Sequence, residues 1–430
     1  MRPKQSNHRN TYQNQLLYTS IDATGYHFAN SKEDPVGSLR NLNHFEQNGN
    51  QVRQLHRIQN IDYGFNINRV NINTFGQAAR VDSATLETPD VFLNFEYLLA
   101  DGYNEGVCGF VTDGKAQCIS KHLMRHMDLG QNFFLLVGPD GHDIIGKPLD
   151  SIDSDLYSVV GLGNCFLNQY AVTASIGELP RARLSYEAYN VRSYKGFQNL
   201  PIPSVNMYEN IICPDIKFSI PDTFESFTYP KLIGLNDIAF ENSSRGITPS
   251  SIRMHIGEPT LISQQIGSDG IFRDGDALIQ GFSINVPLAN TRLKTLGKKY
   301  EIARLPKYPS LITIKINAIL SELKKNVSLY DMLCDKNKHD LKITMHDPCA
   351  LEACDNRLLQ QDAQIVFELK GAVLVSEGLE HSVNDPHRLV ELEFNCQISG
   401  PEDNKSGLFI YGKSFFPDFP KILAWGHPLI

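Results

Sequence analysis

The chain has 430 residues, with 40 Lys and Arg against 48 Asp and Glu, for a formal net charge of −8 at pH 7. Hydrophobic residues make up 41% and charged residues 20%, a composition that excludes collagen, coiled coil and a disordered chain, while the length predicts two domains. The acidic balance excludes capture of a nucleic-acid backbone by charge as the main task and leaves only transient contact with DNA.

Residues 1–50, rich in Asn, Gln, His and Ser, show no sustained periodicity and read as an extended arm. The opening MRPKQSNHRNTYQNQ carries charge and amides where a signal peptide needs an apolar core, and no later stretch reaches about 18 uninterrupted apolar residues, so neither a secretory leader nor a membrane anchor is expected. From Val52 the pattern changes. Ile61, Tyr63, Phe65 and Ile67 alternate with polar or small residues, and Val91, Leu93, Phe95 and Tyr97 do so again after Pro89, which predicts two strands, each with one buried face. A helix is expected over Lys115 to Met127, then an apolar run FFLLV at 133–137. The strand pair QYAVTASIGELPRARLSYEA (169–188) follows, and the proline-punctuated NLPIPSVNMYENIICPDIKFSIPD falls in a linker or insertion over 191–270.

The segment after the insertion repeats the first. Ile58-Gln59 and Gly76 recur as Ile279-Gln280 and Gly297 at one constant offset, and at that offset the alternating set at 61, 63, 65 and 67 falls on Phe282, Ile284, Val286 and Leu288. Val91, Leu93 and Phe95 fall on Ile312, Ile314 and Ile316 in the same way, and Pro89 has its counterpart in Pro309, displaced by one. A one-residue slip would invert every side chain, so a repeat that keeps the faces is informative. The closing strands match more loosely and at a shorter offset: Leu184, Tyr186 and Ala188 after Pro180 resemble Val390, Leu392 and Phe394 after Pro386. A short helix over Ser328 to Cys334 and the run LKITM (341–345) complete the second copy. The predicted organisation is an arm (1–50), a first domain (51–190), an insertion (191–270), a second domain (271–400) and a tail (401–430).

Residues with chemical potential do not converge. His122 and His126 stand one helical turn apart, as in zinc hydrolases, but Leu123 occupies the place of the general-base glutamate. His346, Cys349 and Cys354 supply three possible metal ligands without a paired fourth, and a loop closing copy two is the better reading. Gly161/Gly163 and Gly138/Gly141 read as turns, and Asp140, His142 and Asp143 as an exposed polar cluster. Eight cysteines (Cys108, Cys118, Cys165, Cys213, Cys334, Cys349, Cys354, Cys396) without a CxxC read as free thiols in a reducing compartment, which leaves the sequons at Asn242, Asn326 and Asn404 without a role. No catalytic residue, cofactor or metal is expected. The one asymmetry between the copies is a basic stretch over 291–307, with Arg292, Lys294, Lys298, Lys299, Arg304 and Lys307 against Glu301 alone. We read it as either a solvated loop or a docking loop for an acidic surface on a neighbouring subunit.

The strand-loop segments 58–76 and 279–297, the strands after Pro89 and Pro309 and the strand pair 169–188 together resemble the tail tube proteins of tailed bacteriophages, over roughly 52–190 and 271–400. The resemblance implies a mainly β chain of two tandem β-sandwich or barrel domains, each with a flanking α-helix, plus the irregular insertion. It further implies a structural virion protein: a homotrimer forming rings of pseudo-sixfold symmetry, stacked into a tube that conducts the genome, assembled in the host cytoplasm with other tail proteins such as terminator, baseplate and sheath. The long loop after the first strand is the element that, in that family, reaches the next ring. Here it corresponds to Asn68–Asp82 and Ala289–Ala303, which places Arg292, Lys294, Lys298 and Lys299, with Arg304 just beyond, at the inter-ring contact. Alternatives are a neck, tail-terminator or baseplate ring of the same fold. A carbohydrate- or protein-binding β-sandwich with Tyr-rich loops such as TYQNQLLYTS is the rival class, and an enzyme comes third, to be revived by stoichiometric zinc.

Overall fold

The computed structural model describes residues 14–20, 52–124, 130–139, 156–196, 247–256, 277–297, 300–301, 303–320, 338–346, 363–382, 385–398, 400 and 403–412, with short pieces between 200 and 218. The chain is mainly β. In the first half the strands are β1 (Gln15–Ser20), β2 (Val52–Gln54), β3 (Ile58–Asn66), β4 (Arg69–Ile72), β5 (Asp82–Thr85), β6 (Asp90–Leu98), β7 (Gln131–Val137), β8 (Ser158–Ser175), β9 (Arg181–Ala188) and β10 (Asn190–Lys195). Two short helices, α1 (Tyr103–Val107) and α2 (Ser120–Met124), lie between β6 and β7. Four very short strands, β11 to β14, occupy Leu200–Pro201, Val205–Asn206, Ile211–Ile212 and Lys217–Phe218. The second half holds β15 (Ile252–Ile256), β16 (Ala277–Pro287), β17 (Asn290–Leu293), β18 (Ala303–Pro306), β19 (Ser310–Leu320), β20 (His339–His346), β21 (Ala363–Ser382), β22 (Asp385–Ile398) and β23 (Gly407–Gly412).

Pairing makes the duplication explicit. In copy one, β3, β6, β9 and the C-terminal half of β8 form one layer, while the N-terminal half of β8 carries β10 on one side and β7, β1 and β2 on the other. Copy two repeats this with β16, β19, β22 and the C-terminal half of β21, and with β23, the N-terminal half of β21, β20 and β15. Each copy is thus two antiparallel layers sharing one long bent strand. No closed barrel forms among the described residues.

The registers match to the residue. The pair Ile61↔Phe95 of copy one becomes Phe282↔Ile316 in copy two, at the offset that carries Ile58 to Ile279, and the arm hairpins β4–β5 and β17–β18 correspond at that same offset. The shared Ile-Gln has a structural cause. Both ladders are bulged there, between Ile58 and Asn60 and between Ile279 and Gly281, so Gln59 and Gln280 are the extra residues that increase the local twist. The shared glycines stand at the arm tips in the left-handed region, Gly76 at φ 87° and Gly297 at φ 84°, where a β-carbon is disfavoured. The alignment read for the closing strands moves along by one pleat: Val91 pairs with Ala188 and Ile312 with Cys396, so Ala188 corresponds to Cys396 rather than Phe394. Such a shift keeps each side chain on its face, so hydrophobic alternation alone does not distinguish the two alignments.

Several expectations change. Copy one's first strand is expected to bury one face, yet Tyr63 and Phe65 are exposed, because β3 pairs only with β6 and ends the layer. The helix expected over 115–127 is confined to Ser120–Met124 within the described residues. Upstream, Gly109 and Gly114 adopt left-handed φ, and Asp113 Oδ1 accepts from the backbone N–H of Lys115 in a turn that stops a helix. Residues 15–20, read as part of an arm, pair with β7, and Leu17 and Tyr18 are buried. Gly407–Gly412, read as tail, pairs with β21. The helix expected over 328–334 lies outside the described residues.

The two copies share one apolar core running from Leu17 to Ile410. Copy one fills its part with aromatics: the Phe95 and Tyr186 rings stack with centroids 5.9 Å apart, and Phe133 tilts onto Tyr186 at 4.7 Å. In copy two the aliphatics Ile316 and Leu341 stand where Phe95 and Phe133 do, and Phe394 keeps an aromatic at the place of Tyr186, all three buried.

Candidate functional site

The copies are joined strand to strand. The C-terminal half of β8 pairs antiparallel with β16, from Ser175↔Gly281 to Gln169↔Pro287, so the layers of the two copies run on as one sheet ordered β3-β6-β9-β8-β16-β19-β22-β21. On the core face Phe282, Ile284 and Val286 meet Ala174, Val172 and Tyr170, all buried. On the other face Gln169 donates to Asn285 Oδ1 at 2.6 Å.

A buried ionic cluster fastens the seam where the β17–β18 arm leaves it. Arg304, 3% exposed, donates to Glu301 Oε2 at 3.0 Å and to Glu187 Oε2 at 2.8 Å, and its guanidinium lies between the Phe166 and Tyr189 rings, 4.4 and 4.6 Å from their centroids. Tyr189 donates to Glu301 Oε2 at 2.6 Å, and burial raises its phenol pKa above the ordinary value. Arg292 pairs with Asp90 at 3.1 Å, with Glu301 at 3.2 Å and with Glu187. Lys294 pairs with Glu87 at 3.0 Å farther out, where solvent weakens it. Arg292, Glu301 and Arg304 belong to copy two, and Asp90, Phe166, Glu187 and Tyr189 to copy one, so the charges bridge the copies.

A third contact lies on the outer layers. Segment 112–118 of copy one runs along β23 of copy two: the N–H groups of Gly114 and Cys118 donate to the carbonyls of Ile410 and Leu408 at 3.0 and 2.8 Å, and Gly412 N–H donates to Thr112 at 3.0 Å. A β-carbon at Gly114 would collide with the Tyr411 ring, which explains the glycine. Gln117 donates to the carbonyls of Gly400 and Asp403.

Among the described residues both ends of the joined sheet are open. β3 has no strand beyond it and β21's C-terminal half has none beyond it, although their counterparts β16 and β8 are the very strands that pair in the seam. Exposure follows. Phe65 is 59% and Tyr63 40% exposed, whereas their repeat counterparts Val286 and Ile284 are both at 0%. The arm tips carry Phe75 and Leu296, which also correspond and are both fully exposed.

Of the residues singled out in the basic stretch, Arg292 and Arg304 turn inward onto copy one and Lys294 pairs with Glu87, while Lys298 and Lys299 lie outside the described residues. Cys349, Cys354 and His126 also lie outside them; His346 is buried in β20, and His122 packs edge-on against Phe110, 4.9 Å between centroids. Among the described residues no group of three His, Cys, Asp or Glu side chains could hold a metal, and no helix is long and apolar enough to cross a membrane. Sequence reasoning missed Glu105. It is buried on α1 and accepts from Tyr97 at 2.8 Å and Tyr170 at 3.3 Å, and burial pushes its carboxyl up to about 7 against the lowering effect of Tyr97. Cys108 and Cys118 are buried and their thiols raised by desolvation, so the group is a closed polar knot in the core without a nucleophile poised to react.

The sequence matches no protein-family model and no curated protein. Among the solved structures similar to it are three that share 10% identity with it. They are a PVC sheath–tube complex of an extracellular contractile injection system in its extended state (TM-score 0.26, covering 41% of this chain and 99% of that one), the tube-terminating cap of the anti-feeding prophage (0.24, 39% and 93%) and the anti-feeding prophage baseplate (0.19, 31% and 79%). At these TM-scores the likeness stops short of a shared overall fold, and the reading of function rests on the chain's own geometry.

Proposed function

We propose that three chains close into a ring of pseudo-sixfold symmetry and that these rings stack into a tube of a phage-tail-like particle, a structural rather than catalytic role. The observation that carries the reading is the seam. One copy presents β8 to the next copy's β16, and among the described residues the same chain ends in an unpaired β21 edge at one side and an unpaired β3 edge at the other. Pairing β21 of one chain with β3 of the next repeats the seam between chains. Such a heterologous contact propagates until it closes, and closure removes the exposed edges that would otherwise recruit partners without limit. The exposed Tyr63 and Phe65 are then buried as Ile284 and Val286 are.

The face of the joined sheet turned from the core suits a lumen. Asn94, Thr173, Ser185, Ser283 and Asn317 lie on it; of its charges Arg181 pairs with Glu96 at 2.8 Å and Lys315 with Glu391 at 2.9 Å and Glu393 at 3.6 Å, while Arg183 and Asp62 stand exposed on the same face. A polyanion passing such a wall meets few unpaired cations, and the net charge of −8 disfavours retention. Stacking along the axis is assigned to the two arm hairpins, whose fully exposed Phe75 and Leu296 tips and the adjacent Lys298 and Lys299 meet the neighbouring ring, its terminator or its baseplate. Mass measurement with negative-stain electron microscopy of the purified chain tests the reading. Three-chain rings of sixfold appearance are expected; monomers alone, or closed assemblies of another number, overturn it.

A further inference from the structure

Every position of the ionic cluster at the seam has a counterpart at the free edges, because the arms and β6 correspond at the Ile58-to-Ile279 offset, and β9 and β22 at the offset from Ala188 to Cys396. Asp90 corresponds to Leu311 and Glu187 to Asn395; Arg292 corresponds to Asn71 and Arg304 to Ser83. The outer pair of Lys294 and Glu87 becomes Asn73 and Tyr308. Glu301 alone keeps a charge, and that charge is reversed: its counterpart is Arg80, which donates to Asn71 Oδ1 at 3.1 Å as Glu301 pairs with Arg292. Six charged positions out of seven are thus neutral on the surfaces that would meet between chains.

What replaces the charge is apolar and unsatisfied. Leu311 is 47% and Val373 38% exposed where Asp90 and Phe166 stand in copy one, and Asn395 Oδ1 is buried without a hydrogen-bond partner where Glu187 accepts from two arginines. Resting on the ring reading above, we infer that the ring alternates two kinds of junction. The three within chains are locked at the arm by ion pairs centred on the buried Arg304 and Glu301, and the three between chains are closed there by apolar burial and a neutral hydrogen bond, with Asn71 of the neighbour donating to Asn395. Ring closure therefore does not weaken with added salt: the acidic residues of the two facing strands, Asp62 on β3 and Glu377 and Glu380 on β21, are of one sign, so screening relieves their repulsion and removes no attraction. Screening shortens electrostatic reach to about 3 Å at 1 M salt, which erodes exposed ion pairs and leaves apolar burial in place.

The full chain is titrated for assembly by mass photometry between about 0.05 and 1 M NaCl, a range over which exposed charge contacts lose most of their strength. The apparent dissociation constant is expected to fall or to rise by no more than about fivefold, and weakening beyond that overturns the inference, because apolar association does not weaken with added salt. Absence of rings at every salt concentration sinks the ring reading instead. A second variant, Ser83→Arg with Asn395→Glu, grafts the Arg304–Glu187 pair onto the junction between chains. It should tighten the ring at low salt and lose that gain at high salt; unchanged assembly at low salt shows that these two positions do not meet.

Discussion

Replacing Phe65 by Ser tests the junction between chains where the free chain has least to lose. Phe65 is 59% exposed, so a side chain that buries roughly 200 Å² when fully enclosed still has about 120 Å² to remove from water. At about 25 cal/mol per Å² this is about 3 kcal/mol per junction, or roughly a hundredfold in its association constant. The fold of the single chain should hardly change, because more than half of the phenyl surface faces water before assembly. Mass photometry across a dilution series reads the shift directly, with circular dichroism confirming the fold. Phe75→Ser is the control: it removes a fully exposed aromatic of the same copy that sits on an arm tip rather than at the strand edge, and it should leave ring closure untouched. Equal assembly by wild type and Phe65→Ser would show that the β3 edge is not covered by another chain.

Other perturbations probe the internal lock, the buried carboxyl and the arms. Arg304→Ala leaves the buried Glu301 and the half-buried Glu187 with Arg292 as their one guanidinium partner and should cost about 3 kcal/mol of stability, whereas Lys294→Ala, which loses an exposed pair, should cost less than about 1 kcal/mol; equal losses in urea unfolding would remove the lock from the seam. Glu105, held up to about 7 by burial, keeps its proton in the folded chain while the unfolded chain ionises above about 4.5, so stability should be full at low pH and fall by about 3 kcal/mol as pH rises through that window. Glu105→Gln should flatten the slope of unfolding midpoint against pH, and parallel slopes for the two proteins would refute the assignment. Phe75→Asp combined with Leu296→Asp should give single rings that no longer stack, seen by negative stain; continued tubes would free the arm tips of that role.

The repeat was legible in the sequence where a residue carried a backbone duty as well as a side-chain one. Gln59 and Gln280 recur because they are bulge residues, and Gly76 and Gly297 because an arm tip needs a left-handed residue. The closing strands were readable only to within one pleat, since a sheet face repeats with that period and hydrophobic alternation repeats with it. The outer strands β1, β10, β15 and β23 were not legible as a repeated set. Connections of unequal length put β10 and β23 at one offset and β1 and β15 at another, neither shared with the inner strands, and no residue type marks them. The basic stretch misled in part. Counting charges locates Arg292 and Arg304, but their partners Asp90 and Glu187 lie far away in sequence and meet them only because β8 and β16 pair. Glu105 was invisible for the same reason: nothing local to YNEGV says that two tyrosines from β6 and β8 will close over it.

The joined sheet also sets a mechanical order of failure. Tension applied across its strands, as internal pressure would apply it around a hoop, passes through every ladder in series, so each carries the same force and the weakest opens first. The ladder at the seam, Gly281 to Pro287, is shorter than the one between β19 and β22, which runs from Ser310 to Ile319. Left to backbone hydrogen bonds alone the seam would be an early breaking point within the chain. The arginines of the β17–β18 arm reach across it to Asp90 and Glu187, and so act as a buckle placed at the end of a short fastening. Under load the joining of the two copies does not rest on that short ladder alone.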